Sequence, residues 1–151
     1  MLNCEENIKG YNALLLKLLA ATSIKYSSWP TQDKSLLKKS AGIYHFFEKR
    51  DDVIDSLYVG KAGFGDGNWS LHKRLQQHFR PSQKNTLLGK AAIALEMSAS
   101  EVKETFVGDE VYLQWLPLCT DVSKNSDEIS SELIWFECFC KAILKPRYTD
   151  A

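Results

Sequence analysis

No apolar run in this sequence is long enough to cross a bilayer. The longest, "ALLLKLLAA", is interrupted by Lys17 and preceded by acidic residues, so neither a span nor an export signal is expected, and the chain reads as soluble and cytoplasmic. Cysteine is too scarce for a disulfide framework. Cys4, Cys119, Cys138 and Cys140 are unevenly spaced, and the C-x-C at 138–140 lacks the second pair or nearby histidine that would complete a zinc site. They read as reduced thiols. Repeats and low-complexity stretches are also missing, so the 151 residues, 44% of them hydrophobic, are assigned to a single domain with one core. Zinc-finger, helix-turn-helix and basic-tail signals are missing as well.

Net charge is zero, which argues against a partner gripped mainly through phosphates, yet the charge is unevenly distributed. Between residues 61 and 90, Lys61, Lys73, Arg74, Arg80, Lys84 and Lys90 face only Asp66, with His72 and His78 among them. From 96 to 132 acids dominate, opposed by Lys103 and Lys124. Such blocks fit a protein that meets an anion on one side, or simply solvated faces. The acidic 96–132 segment suits contact with a protein partner better than contact with a phosphate backbone.

Periodicity outlines the elements. Ile8, Tyr11, Leu15, Leu18 and Leu19 form an apolar stripe on a helix over about residues 5–25, which gives out before Pro30. "DKSLLKKS" is short and helical or irregular. "GIYHFFEK" and "DSLYVGK" are rich in β-branched and aromatic residues, and the charged "EKRDDVID" joins them as an antiparallel hairpin. A glycine-rich loop, "AGFGDGNWS", leads to "SLHKRLQQHF", where Leu71, Leu75 and Phe79 lie at helical spacing and Ser70 is the N-cap. "NTLLGKAAIALEM" is a further helix, "SASE" has capping-box spacing, "EVYLQWLPL" alternates as a strand near a sheet edge, and "SDEISSELIWFECFCKAIL" is a long helix stopped by Pro146. The expected fold is α+β: a small antiparallel three-stranded sheet flanked by helices. Residues 1–39 are a helical extension and 40–149 the core.

"GIY", then "YVGK", then an arginine on the following helix, then a glutamate on a late helix ending in "LKPRY", resemble the GIY-YIG nuclease superfamily in that order. The resemblance covers roughly residues 40–149. It implies a metal-dependent phosphodiesterase acting on DNA, including branched or single-stranded regions, with Mg²⁺ or Mn²⁺ as cofactor. Phosphodiester hydrolysis needs an activated water, compensation of charge on the non-bridging oxygens and help for the leaving alkoxide.

Candidates exist for each task. Tyr44 and Tyr58, on paired strands, can bring two phenols to one phosphate, with Lys61 beside them, and the resemblance leaves open which phenol is the base. Gly42 and Gly60 leave room for backbone or substrate. Arg74 offers a planar fork for phosphate oxygens. His78, one turn further on, faces the same way and is a further catalytic candidate. The last helix carries Glu132 and Glu137, and aligning "LKPRY" with the family's terminal motif makes Glu137 the metal ligand, amid Trp135, Phe136, Cys138 and Phe139. Lys61, Lys73, Trp69 and Thr149 are the expected substrate contacts. Thr149 stands where many members have asparagine, and Asn68 and Trp69 sit in a loop longer than in compact members. The rival expectation is a catalytically weak or silent module of the same fold that binds nucleic acid or protein. RNA as the substrate stays open too.

Overall fold

The computed structural model describes residues 3–63, 70–122 and 127–149. Helix α1 (Cys4–Ala20) starts where the Asn3 side chain accepts from the Glu6 amide, and it ends sooner than its apolar stripe suggested. Thr22 and Ser23 are poor helix formers, and beyond them Ile24–Lys25 pair as β1 with another strand. This corrects the three-stranded expectation: the sheet has four strands, and the added one comes from the stretch expected to close the first helix. A 3₁₀ turn (Tyr26–Thr31) follows, and "DKSLLKKS" forms turns that drive Leu37 into the core.

The hairpin is β2 (Ala41–Arg50) and β3 (Val53–Ala62), antiparallel throughout, with a bulge between Phe46 and Phe47. Both residues of the connecting turn, Asp51 and Asp52, have positive φ (47° and 66°), the conformation that matches a two-residue turn to the twist of its strands. After the hairpin come α2 (Leu71–Gln77), α3 (Leu87–Leu95) and α4 (Ala99–Gly108), capped by Ser70, Thr86 and Ser98 respectively. The strand β4 (Val111–Cys119) lies against β2, and α5 (Asp127–Leu144) closes the fold. The strand order is β1-β4-β2-β3.

Alternation along the strands divides the interior in two. Tyr44, Phe46, Tyr58 and Leu113 face the 3₁₀ turn and α2–α4, whereas Ile43 and Val59 face Leu15 and Leu18 of α1 and Leu133 and Phe136 of α5. Leu71 and Leu75, fully buried, fix α2 to the first face, each contributing about 2 kcal/mol by its burial. Beyond α5 the chain lies along the outer edge of β3, where the Arg147 and Tyr148 amides donate to the carbonyls of Ser56 and Leu57. Among the described residues no helix is long and apolar enough to cross a membrane.

One polar chain runs through the second face. Gln114 donates to the carbonyls of Leu19 and Ala21, its Oε1 lies 2.9 Å from Nδ1 of the fully buried His45, and His45 Nε2 is 2.8 Å from Ser56 Oγ. These contacts hold the end of α1 on the sheet. Burial lowers the His45 pKa to about 4, against partial support from Gln114. A depressed histidine stabilises the fold above its unfolded pKa near 6.5, and that stability is lost as pH falls toward 4, at about 1.4 kcal/mol per pH unit. Urea unfolding at pH 7, 6 and 5 should show at least this slope, because buried His78 is depressed as well, and His45→Asn should flatten it by about one proton. An unchanged slope in the variant would remove His45 as the cause.

Candidate functional site

Tyr44 projects from the middle of β2 and is fully buried. Its ring lies over Gly60, the residue paired with it on β3, and a Cβ built there would fall 2.3 Å from Tyr44 Oη. A Cβ on Gly42 would fall 2.1 Å from the Leu116 carbonyl oxygen. Of the two expectations, backbone or substrate, Gly42 meets the first by admitting the Leu116 backbone, while Gly60 admits the protein's own Tyr44 ring. Tyr58, opposite Phe46 and 3% exposed, stacks its ring on that of Tyr44 with centroids 6.3 Å apart and planes 15° from parallel.

Arg74, half-buried on α2, reaches both phenols. Burial pulls its pKa down, but charge and hydrogen-bond interactions with Tyr44 and Tyr58 more than reverse this, and the net shift is upward. Its Nη1 donates to Gln77 Oε1 at 2.5 Å and its Nη2 to the Asn85 carbonyl at 2.8 Å, so the guanidinium is aimed from two sides.

His78 faces the same way as Arg74, as the spacing suggested, and both reach Tyr44. Helix α2 stops at Gln77, and His78 turns inward to full burial. The Leu87 amide donates to His78 Nδ1 at 2.9 Å, and Nε2 lies 2.8 Å from Tyr44 Oη. Because Nδ1 accepts, the proton of the neutral ring sits on Nε2 and is donated to Tyr44. Burial, then the charge of Arg74, hold the His78 pKa well below its ordinary value, so the ring stays neutral. His78 thus holds the Tyr44 hydroxyl through one hydrogen bond. Tyr44 itself is pushed well above its ordinary pKa, first by burial and then by Tyr58; Arg74 opposes the shift and Glu137 adds to it.

Glu137 sits on α5, largely covered. Its Oε1 receives Lys61 Nζ at 3.0 Å and Lys141 Nζ at 3.6 Å. The flanking residues do not enclose it as expected: Trp135 is 57% exposed and Cys138 is exposed, because neighbours on a helix point in different directions. Where a metal or Arg74 was expected to offset the cost of covering the carboxylate, Lys61 and Lys141 do so. Alternation on β3 sends Lys61 toward α5 while Tyr58 faces α2, so the residues form two adjacent groups: the phenols with Arg74 and His78, and Glu137 with its lysines. The effect of Glu137 on Tyr44 joins the groups electrostatically.

Glu132, by contrast, is exposed and accepts from the Tyr11 hydroxyl at 3.0 Å. Lys73 is exposed on the first turn of α2, and exposed Thr149 follows the segment that pairs with β3. Asn68 and Trp69 lie outside the described residues. The acidic segment is not one surface: Val102, Phe106, Val111 and Leu113 within it are core, and Glu110 pairs with Lys25. Three residues escaped sequence reading. Lys141, four positions after Glu137, carried a helical-spacing signal, as did Gln77, three after Arg74; the Asn85 carbonyl carried none.

Gly60→Ala should be more costly than an ordinary surface change, because the Tyr44 ring has no room to retreat. The expected loss is about 1–3 kcal/mol in urea denaturation, and wild-type stability would show that the ring is not seated there. Compared with known proteins, the chain matches no family model, no curated protein and no solved structure.

Proposed function

We propose that the protein is a metal-dependent endonuclease that hydrolyses DNA phosphodiester bonds, as the GIY-YIG-like motifs imply. The observation that carries this reading is the convergence of two stacked phenols and one guanidinium, with a carboxylate within electrostatic range of Tyr44. Arg74, already aimed by Gln77 and Asn85, would bind the non-bridging oxygens of the phosphate, where a fixed charge needs no reorganisation as the transition state forms.

The phenols take different parts. Tyr44 receives a proton donor from His78 and keeps its own proton near neutral pH, so it donates to a phosphate oxygen. The water-activating role then goes to Tyr58, beside Arg74. Lys61, held by Glu137, supplies positive charge next to the leaving group. Exposed Lys73 and Thr149 contact flanking backbone.

Among the described residues no group of three or more His, Cys, Asp or Glu could hold a metal, so a cage made wholly of protein ligands is not found there. A Mg²⁺ bound by one carboxylate, waters and substrate phosphate needs no such cage, and Glu137 fits it as the hard oxygen ligand. Two lysines already face that carboxylate, so an ion held by Glu137 would share it with them. Bound there, the ion would neutralise charge on the phosphate.

A second reading, a binding module without turnover, draws support from the same carboxylate: two lysines already compensate Glu137, and Tyr44 has no exposed surface. Incubation of plasmid and branched DNA with the protein and Mg²⁺ or Mn²⁺ separates the two. The nuclease should nick and linearise DNA, with Arg74→Ala and Glu137→Gln each slowing cleavage by about 10²–10⁴-fold. No cleavage by the wild type would favour the module. Wild-type rates in Glu137→Gln would remove Glu137 as the metal ligand.

A further inference from the structure

A cleft of about 630 Å³ opens between the 3₁₀ turn, the end of α2 and α4. It is separate from the phenol–guanidinium group. Gln76 lines it, whereas Arg74 lies two residues earlier, roughly 200° away around the helix, on the other side of α2. Three cations, Lys34, Arg80 and Lys103, line the cleft, and among the described residues no carboxylate does. Lys103 Nζ is anchored by one bond to the Phe79 carbonyl at 2.7 Å, and Lys34 Nζ rests 4.8 Å above the Trp29 ring. The Arg80 guanidinium is exposed and forms no ion pair or hydrogen bond among the described residues.

Between the cations the walls are apolar and rigid. Trp29 and Phe79, stacked on each other at 4.9 Å and 7° from parallel, line the slot together with Pro30, Pro81 and the half-exposed Val107. Gln76 is held by its Oε1, which accepts from Trp29 Nε1 at 2.9 Å, so its amide hydrogens are available as donors. A planar ring with acceptor atoms fits the slot, and a phosphate fits the cations.

We propose that this cleft is a nucleotide-binding site: a nucleobase enters between Pro30, Pro81 and Val107, and its phosphate is held by Arg80, Lys103 and Lys34. The nucleotide is either free or one unit of a strand. The proposal stands independently of the cleavage reading, because none of these residues serves the phosphodiester site.

Calorimetric titration of the full chain with dAMP, deoxyadenosine, inorganic phosphate and an eight-residue oligothymidylate tests it. dAMP should bind with a Kd below about 1 mM, with deoxyadenosine and phosphate each weaker by about tenfold or more. Arg80→Glu, a change at an exposed position, should weaken dAMP by at least about tenfold, and Glu137→Gln should leave it unchanged. Oligonucleotide binding that Arg80→Glu abolishes, without dAMP binding, assigns the site to a strand and still supports the proposal. The proposal is overturned if neither dAMP nor the oligonucleotide binds, if dAMP binds but no better than phosphate, or if Arg80→Glu and Lys34→Glu both bind like wild type. Loss of DNA cleavage with dAMP binding retained would count against the nuclease alone.

Discussion

The 2.8 Å contact between His78 and Tyr44 is the constraint on which the rest of the site depends. Through one imidazole and its own carbonyl, His78 binds three separate elements: the phenol on β2, the Leu87 amide at the start of α3, and the Tyr26 hydroxyl of the 3₁₀ turn, which donates to the His78 carbonyl at 2.9 Å. Each of these groups is buried, and each would be costly to leave unmade. Satisfied together, they lock the end of α2 to the sheet, and Arg74, one turn earlier, inherits its position.

The hairpin, α2 with its Ser70 cap, the capping box at Ser98 and the long final helix were legible because each is a local pattern: alternation, helical spacing or a cap three residues from its partner. What escaped was non-local. β1 is two residues long and exists only because Leu113 and Tyr112 stand opposite it, so no window of sequence could show it. The residues of the candidate site were named from their motif, which did not show how deeply they are buried. His78 was placed by helical spacing from Arg74, and although α2 ends at Gln77, the cap residue keeps helical backbone angles and the spacing holds. The glycines beside the tyrosines were read as room for backbone or substrate: Gly42 takes the Leu116 backbone, and Gly60 proves to be the seat of a ring from the neighbouring strand.

The carboxylate of Glu137 shows a different balance. Its two lysine contacts are partly screened from water, so they compensate the charge more than exposed pairs would, without the full desolvation cost of a deeply buried pair. This makes the lysine–glutamate group adjustable, in contrast to the fixed group around His78.

The C-terminal segment has a bearing on solubility. By donating two amides to Ser56 and Leu57 it occupies acceptors that an outermost strand would otherwise offer to another molecule, and the ion pair of Arg147 with Asp55 fastens it there. Truncation before Pro146 would therefore expose a template for intermolecular strand addition, and the resulting hazard is aggregation of otherwise well-folded chains.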